Sequence, residues 1–228
     1  MKFKILISLF FLFPFTLIAD NVGYEVEVII FEDLTDRSLN SEKWYLAKDD
    51  TINIINHVNK SSSNSKGFQD PVYEELSTEK SRLHDQIERL VKHNNYNILI
   101  HKAWKQTGLD PDKAFQILID SRNLAFKTDM PAETRPPYIT GDITLIMSRY
   151  LHINANLIYY KPQIYTASDN TNPANITDTY YNQYPVIFER RMRSKEIHYI
   201  DHPLIGMIVL TVPFKVEQEI TINKSILH

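Results

Sequence analysis

Residues 23–32 read GYEVEVIIFE, and this short stretch sets the pattern of the fold. Apolar side chains occupy every second position, namely Tyr24, Val26, Val28 and Ile30. Glu25 and Glu27 begin the opposite face, which turns apolar at Ile29 and Phe31. A period of two with β-branched residues predicts a strand. The two glutamates predict that one side of this strand is solvated near its start. Ile29 and Phe31 predict that the same side is covered at the far end of the strand.

A helix and a second strand follow after a polar stretch. The helix is predicted to begin at Ser77 or Thr78 and to end at Asn94 and Asn95, which tolerate left-handed backbone. Its apolar side chains fall at the spacing i, i+4, i+7 and i+8, namely Leu83, Ile87, Leu90 and Val91. One apolar stripe is typical of a helix that covers one face of a sheet. Alternation resumes in residues 96–106 and predicts the second strand.

The rest of the chain predicts further strands and two polar loops. Extended segments are expected over residues 141–160, with a kink near Asn154, and over residues 186–200 and 207–214. Loops are expected near residues 56–69 and 168–184, where no apolar period appears. These elements predict an α+β fold, in which a mainly antiparallel sheet has one or more helices packed on one face. A ferredoxin-like arrangement is one fold of this class.

The N-terminus has the composition of a signal peptide. A basic start precedes an apolar run over residues 5–18, which is short for a helix that spans a bilayer. We expect residues 1–19 to be removed by cleavage near Ala19, which would deliver residues 20–228 to the periplasm as a single domain. The alternative is an uncleaved anchor, which Pro14 disfavours because proline interrupts a helix.

The composition limits the classes of partner. The chain has no cysteine, so it cannot carry a lipid on an N-terminal cysteine. It has 25 basic and 28 acidic residues, and loss of Lys2 and Lys4 with the signal peptide leaves 23 against 28. Nucleic acid is not an expected partner, because affinity for it comes mainly from neutralising phosphates. No later apolar run has membrane length, so stable membrane insertion is not expected either.

The densest polar sequence is residues 188–206, which read FERRMRSKEIHYIDHPLIG. One continuous strand would place Arg191, Arg193 and Tyr199 on the same face. A row of guanidinium groups can bind the carboxylates of peptidoglycan, and Tyr199 or Trp104 can stack on a sugar. These four residues are therefore the candidate binding residues. The alternative is a solvated sheet face with Arg–Glu pairs, each of which contributes little stability.

The same stretch contains a metal alternative and a predicted turn. His198, Asp201 and His202 are of types that bind zinc, but a strand puts the first two on opposite faces. We therefore predict no metal site and no cofactor. Instead, hydrogen bonds are expected to make a structural turn of four residues: Asp201, His202, Pro203 and Gly206. The chain has no G-x-S-x-G motif, so no catalytic residue is assigned, although paired carboxylates for glycan cleavage stay open.

Residues 190–206 resemble the signature of the CsiV family of periplasmic peptidoglycan-binding proteins. Residues 24–31, 96–106 and 141–152 resemble the family's opening strand and middle, and the polar insert at 168–184 departs from its pattern. The resemblance implies a non-catalytic protein that binds peptidoglycan. It also implies support of a bifunctional penicillin-binding protein through an outer-membrane lipoprotein activator. A metal- or carboxylate-dependent cell-wall hydrolase is the alternative function.

Overall fold

The computed structural model describes residues 22–35, 72–122, 131, 134–169 and 172–216, without the side chains of 165–169 and 172–179. The predicted signal peptide at 1–19 and the predicted loop at 56–69 lie outside these ranges. The described elements are β1 (Val22–Asp33), β2 (Tyr73–Leu76), a short 3-10 helix (Thr78–Lys80), α1 (His84–Lys92), β3 (Tyr96–Gln106), β4 (Gln116–Asp120), β5 (Tyr138–Met147), β6 (Leu151–Asp169), β7 (Asn172–Met192), β8 (Ile197–Asp201) and β9 (Ile205–Lys215).

The strands form two antiparallel sheets. Sheet 1 has the order β2-β3-β1-β9-β8, and sheet 2 has the order β4-β5-β6-β7. The strand predicted at residues 23–32 is β1, which lies in the middle of sheet 1 and pairs antiparallel with β3 and β9. The predicted strands at 96–106 and 207–214 are therefore its two neighbours, β3 and β9.

The main core lies between the two sheets. The alternating apolar set of β1 faces sheet 2, and each of its side chains is buried. Sheet 2 contributes a matching set of buried side chains: Ile143, Leu145, Ile153, Leu157 and Tyr159. Burial of apolar side chains between two sheets is the dominant favourable term for such a fold.

Helix α1 covers the other face of sheet 1. Leu83 and Leu90 pack there against Ile29, Ile208 and Leu210. The prediction of a helix on a sheet face is thereby confirmed, and the described residues stack as helix, sheet 1 and sheet 2.

The predicted helix differs from α1 at three places. The α-helix begins at His84, because a 3-10 helix capped by the Ser77 hydroxyl occupies the earlier turn. Val91 is 68% exposed, so it lies beside the apolar stripe rather than in it. The helix ends when the His93 N–H bonds the Leu90 carbonyl, and Lys195 is the one non-glycine residue with positive φ among those described. The left-handed backbone expected at Asn94 and Asn95 is therefore absent.

The mainly antiparallel α+β prediction is confirmed, whereas the ferredoxin-like arrangement is not. A ferredoxin-like fold has one sheet, but the described strands divide into two packed sheets. The segment predicted at 141–160 is two strands, which turn at residues 148–150 instead of bending near Asn154. Residues 168–184 lie mostly in β6 and β7, which pair over their length, rather than in a loop. Their polar composition does not oppose pairing, because the backbone makes the hydrogen bonds.

The predicted strand at 186–200 is broken, and this break changes the expected site. β7 ends at Met192 in sheet 2 and β8 begins at Ile197 in sheet 1, so the chain crosses from one sheet to the other. Lys195 adopts a φ of 65° in the turn, and its N–H donates to the Thr211 carbonyl at 2.7 Å. Residues on either side of the turn therefore do not share a face.

Glu27 fastens the segment before α1 to sheet 1. Its buried carboxylate accepts hydrogen bonds from the Ser81 hydroxyl and from the Arg82 N–H at 2.9 Å, and His101 Nε2 lies 2.8 Å away. Burial by itself raises the pKa of Glu27, but the hydrogen bonds from His101, Ser81 and Arg82 together outweigh burial. The net pKa is therefore below its usual value of 4.5.

Glu27→Gln is expected to remove stability that depends on pH. A carboxylate whose pKa is lowered by folding stabilises fully above its unfolded pKa, and the effect is lost as the pH falls through the folded pKa. We expect the variant to lose roughly 2 kcal/mol at pH 7 and much less at pH 3, measured by urea unfolding. Glu25→Gln is the control, because Glu25 is more exposed and makes surface ion pairs with Arg82 and Lys105. An equal loss at both pH values would contradict the assignment to Glu27.

Candidate functional site

The structure separates the four candidate binding residues. Arg191 lies in β7 of sheet 2, Arg193 lies in the turn after it, and Tyr199 and Trp104 lie in sheet 1. Trp104 pairs with Val26, so its ring faces the core and is fully buried. Its indole N–H donates to Gln106 Oε1 at 2.7 Å. Trp104 cannot present a ring face to a sugar, and the prediction for this residue is wrong.

Tyr199 remains accessible but is isolated from the arginines. It lies opposite Ile208 in edge strand β8, on the face of sheet 1 that α1 covers, and it is 51% exposed. Because Arg191 belongs to sheet 2, the two side chains do not contribute to one face. Binding by Tyr199 stays a prediction.

Arg191 belongs to a cluster with Tyr150 and Arg149, which we call the arginine–tyrosine cluster. Pairing of β6 with β7 places Arg191 opposite His152, next to the turn that carries Tyr150. The Arg191 guanidinium carbon lies 4.4 Å from the centre of the Tyr150 ring, and that of Arg149 lies 5.6 Å from it. A guanidinium held over a ring keeps its N–H edge available to a carboxylate. The cluster can therefore bind an anion.

Arg193 is held less firmly than Arg191. Its side chain is 78% exposed and lies 3.7 Å from Glu196, a surface pair that contributes little stability. Its backbone is fixed instead, because His198 Nε2 lies 3.1 Å from the Arg193 nitrogen and 3.0 Å from its carbonyl oxygen. The histidine tautomer decides which of these two bonds forms. Binding by the Arg193 side chain stays a prediction.

The four residues assigned to a turn lie where β8 reverses into β9. The His202 N–H donates to the Ile205 carbonyl at 3.0 Å, and Nδ1 of His202 accepts from the Leu204 N–H at 3.3 Å. Burial lowers the pKa of His202, which favours the neutral ring that such an acceptor requires. A Cβ on Gly206 would lie 2.2 Å from the tip of the Phe31 ring, so a larger residue fits only if this ring moves. Pro203 lies in the same turn, whereas the exposed Asp201 carboxylate takes no part in these bonds.

The residues considered as metal ligands do not converge. No group of three His, Asp or Glu side chains in the described ranges could hold a metal ion. The imidazoles of His198 and His202 instead bond the backbone of their own turns. Nor is any helix of the described residues long and apolar enough to cross a membrane.

Sequence reasoning missed a polar surface on sheet 2. The strand register places two rows across the face that points away from the core. One row is Leu118, Asp142, Asn156 and Ile187, and the next is Gln116, Thr144, Asn154 and Glu189. We call Asp142, Thr144, Asn154 and Asn156 the polar floor. The available signal was polar residues at alternate positions of the two strands, but only strand pairing brings them together.

Asp142 is the most buried member of the polar floor, with 6% of its surface exposed. Burial raises the pKa of this carboxyl, and hydrogen bonds from Asn156 and Gln116 offset the effect only in part. Its Oδ1 atom has no hydrogen-bond partner among the described residues, and the same holds for the side-chain oxygens of Asn154 and Gln183. The face therefore carries hydrogen-bond acceptors that no described residue satisfies.

Three tyrosines lie at one end of this face. The rings of Tyr138 and Tyr160 stack at 4.3 Å with 9° between their planes, and Tyr181 meets Tyr138 edge-on at 4.9 Å. Burial, followed by the neighbouring tyrosines, raises the pKa of Tyr138 to about 12. The hydroxyl is thus uncharged at neutral pH, and this end of the face is aromatic.

A separate cavity of about 330 Å³ lies on the helix side of sheet 1. Its charged and polar lining residues are Glu25, Glu27, Ser77, Lys80, Ser81 and Arg82. Arg82 already bonds Glu25 at 2.9 Å, and Ser81 bonds Glu27. Both carboxylates of the cavity are therefore already engaged, so it offers fewer unsatisfied groups to a ligand than the face of sheet 2.

The fold and these surfaces define a class of protein with two packed antiparallel sheets. A helix covers sheet 1, and sheet 2 presents a polar face. The comparison with known families is more specific. The family model for CsiV, described as a peptidoglycan-binding protein, matches residues 2–214 of the 228 residues, and the chain belongs to this family. No curated protein matches the chain. No solved structure matches it either.

Proposed function

We propose that this protein binds peptidoglycan in the periplasm and does not cleave it. The observation that carries the proposal is membership of the peptidoglycan-binding CsiV family over residues 2–214. The N-terminal sequence supports delivery to the periplasm, because residues 1–19 have the order of charges and apolar residues of a signal peptide. No observation favours the hydrolase alternative.

The arginine–tyrosine cluster supplies chemistry that suits peptidoglycan. The stem peptides carry free carboxylates, and arginine bonds carboxylates through two parallel N–H groups. Arg191 is already ordered over Tyr150, so less conformational entropy is lost when it binds. The chain carries a net negative charge, which disfavours binding of an anionic ligand elsewhere on its surface. A local cationic cluster is therefore the more selective contact for such a ligand.

A regulatory role follows in the same proposal. Once bound to the wall, the protein supports a bifunctional penicillin-binding protein through its outer-membrane lipoprotein activator. This part is supported by the resemblance of residues 190–206 to the family signature. In this role, binding to the wall determines where the protein is located. The penicillin-binding protein or its activator is the partner on which it acts.

Retention on purified sacculi tests the proposal. Residues 20–228 are expected to sediment with sacculi, and Arg191→Ala is expected to weaken retention about tenfold, the loss of one charge-assisted contact. Arg193→Ala is the matched control, because it removes the same charge from a side chain that is 78% exposed and loosely paired. It should weaken retention less. A wild-type protein that stays in the supernatant at every concentration would overturn the proposal.

A further inference from the structure

We infer that the polar floor of sheet 2 holds the glycan strand of the wall, the polymer of N-acetylated hexosamines, rather than the stem peptide. The inference rests on the proposed function and names the part of peptidoglycan that is bound. It comes from the exposed aliphatic side chains that border the face, from the unsatisfied acceptors on it and from the groups at its two ends.

We call the strip of this face between two exposed aliphatic side chains the trough. Leu118 and Ile187 lie at the two ends of the row that contains Asp142 and Asn156, and they are 69% and 68% exposed, so they form apolar walls. Between these walls lies the polar floor, in which Asp142 is 6% exposed. A flat ring with polar groups on its rim and C–H groups on its faces fits this combination of polar floor and apolar walls.

The unsatisfied atoms select the chemistry of the ligand. Asp142 Oδ1, Asn154 Oδ1 and Gln183 Oε1 are buried acceptors without a partner among the described residues. A buried acceptor without a donor is costly, so a ligand that donates O–H or N–H groups gains by satisfying it. Sugar hydroxyls and the acetamido N–H are such donors. A free carboxylate of a stem peptide offers only acceptors, so it could not satisfy these three atoms.

The two ends of the trough extend this match. At one end, the stacked Tyr138 and Tyr160 offer an aromatic surface to the C–H face of a sugar. At the other end, Arg191 is placed to bind the carboxylate of a stem peptide attached to the strand, as in the proposed function. The distance from Tyr160 to His152 along β6 is about 26 Å at roughly 3.3 Å per residue, which is long enough for an extended polymer.

Two truncations separate binding from folding. The side-chain oxygens of Asn154 and Gln183 have no hydrogen-bond partner among the described residues, so the double variant Asn154→Ala with Gln183→Ala removes two unsatisfied acceptors together with their amide N–H groups. Its thermal unfolding temperature is expected to equal or exceed that of the wild type. Its affinity for glycan strands freed of stem peptides by an amidase is expected to fall about tenfold. Asn94→Ala, in the exposed turn after α1, is the matched control and should change neither quantity.

The probes distinguish failure of this inference from failure of the proposed function. The wild type should bind intact sacculi and peptide-free glycan strands, and it should bind soluble stem peptides more weakly than glycan strands, because only the arginine–tyrosine cluster contacts them. Equal affinity of the double variant and the wild type for peptide-free strands would overturn the inference. Binding of sacculi and stem peptides without binding of glycan strands would also overturn it and leave the proposed function intact. Failure to bind sacculi would remove both.

Discussion

Gly141→Ala is expected to lower the free energy of unfolding by about 4 kcal/mol, from backbone strain and steric overlap of similar size. Gly141 has a φ of +138°, which L-residues rarely adopt. A Cβ there would lie 2.1 Å from the Asn156 carbonyl oxygen and 2.8 Å from the Leu157 Cα. These atoms are backbone of the paired strand β6, so they cannot rotate away. Urea unfolding of wild type and variant measures the loss.

Gly206→Ala separates steric overlap from backbone strain. A Cβ on Gly206 would also overlap, at 2.2 Å, but with the tip of the Phe31 ring, and its φ is not positive. A side chain can move aside, so we expect about half the loss seen at Gly141. Equal stability of the Gly141 variant and the wild type would mean that β5 and β6 do not pair in this register.

The sequence predicted elements well where one period held to the end of the element. β1 was recognised because its alternation is apolar on the core face, and α1 was recognised because its stripe packs on sheet 1. The break in residues 186–200 was missed for a physical reason. Lys195 takes the positive φ of 65° that glycine usually marks, so no glycine signalled the turn.

The sequence also could not show which face of a strand points to the core. Residues 96–106 carry apolar side chains on both faces, so alternation could not say whether Trp104 points to the core or to solvent. Pairing with Val26 settles it, and a register shift beside Ile30 alters the pattern further along the same strand. Likewise, the polar floor depends on which strands become neighbours. That information lies in tertiary pairing, not in any one segment.

The second large loss of stability is expected at a polar contact that is buried between the two sheets. Glu32 of β1 is 4% exposed, and its carboxylate accepts from the Tyr159 hydroxyl at 2.5 Å and from the Asn97 amide at 3.3 Å. Lys161 Nζ lies 3.7 Å from the same group. Tyr159 and Lys161 belong to sheet 2, so Glu32 ties the sheets together. Burial, and then the charge of Glu32, raises the pKa of Tyr159, which keeps its hydroxyl a donor.

Glu32→Ala is expected to cost about 3 kcal/mol, because it leaves the Tyr159 hydroxyl and Lys161 without their shared partner. Tyr159→Phe should cost less, roughly 2 kcal/mol, since Glu32 keeps Asn97 and Lys161. The double variant should lose less than the sum, with a coupling of about 1 kcal/mol in a cycle measured by urea unfolding. Tyr199→Phe is the control, because its half-exposed ring should tolerate loss of the hydroxyl. Strictly additive losses would show that Glu32 and Tyr159 stabilise the fold independently and that their hydrogen bond does not join the sheets.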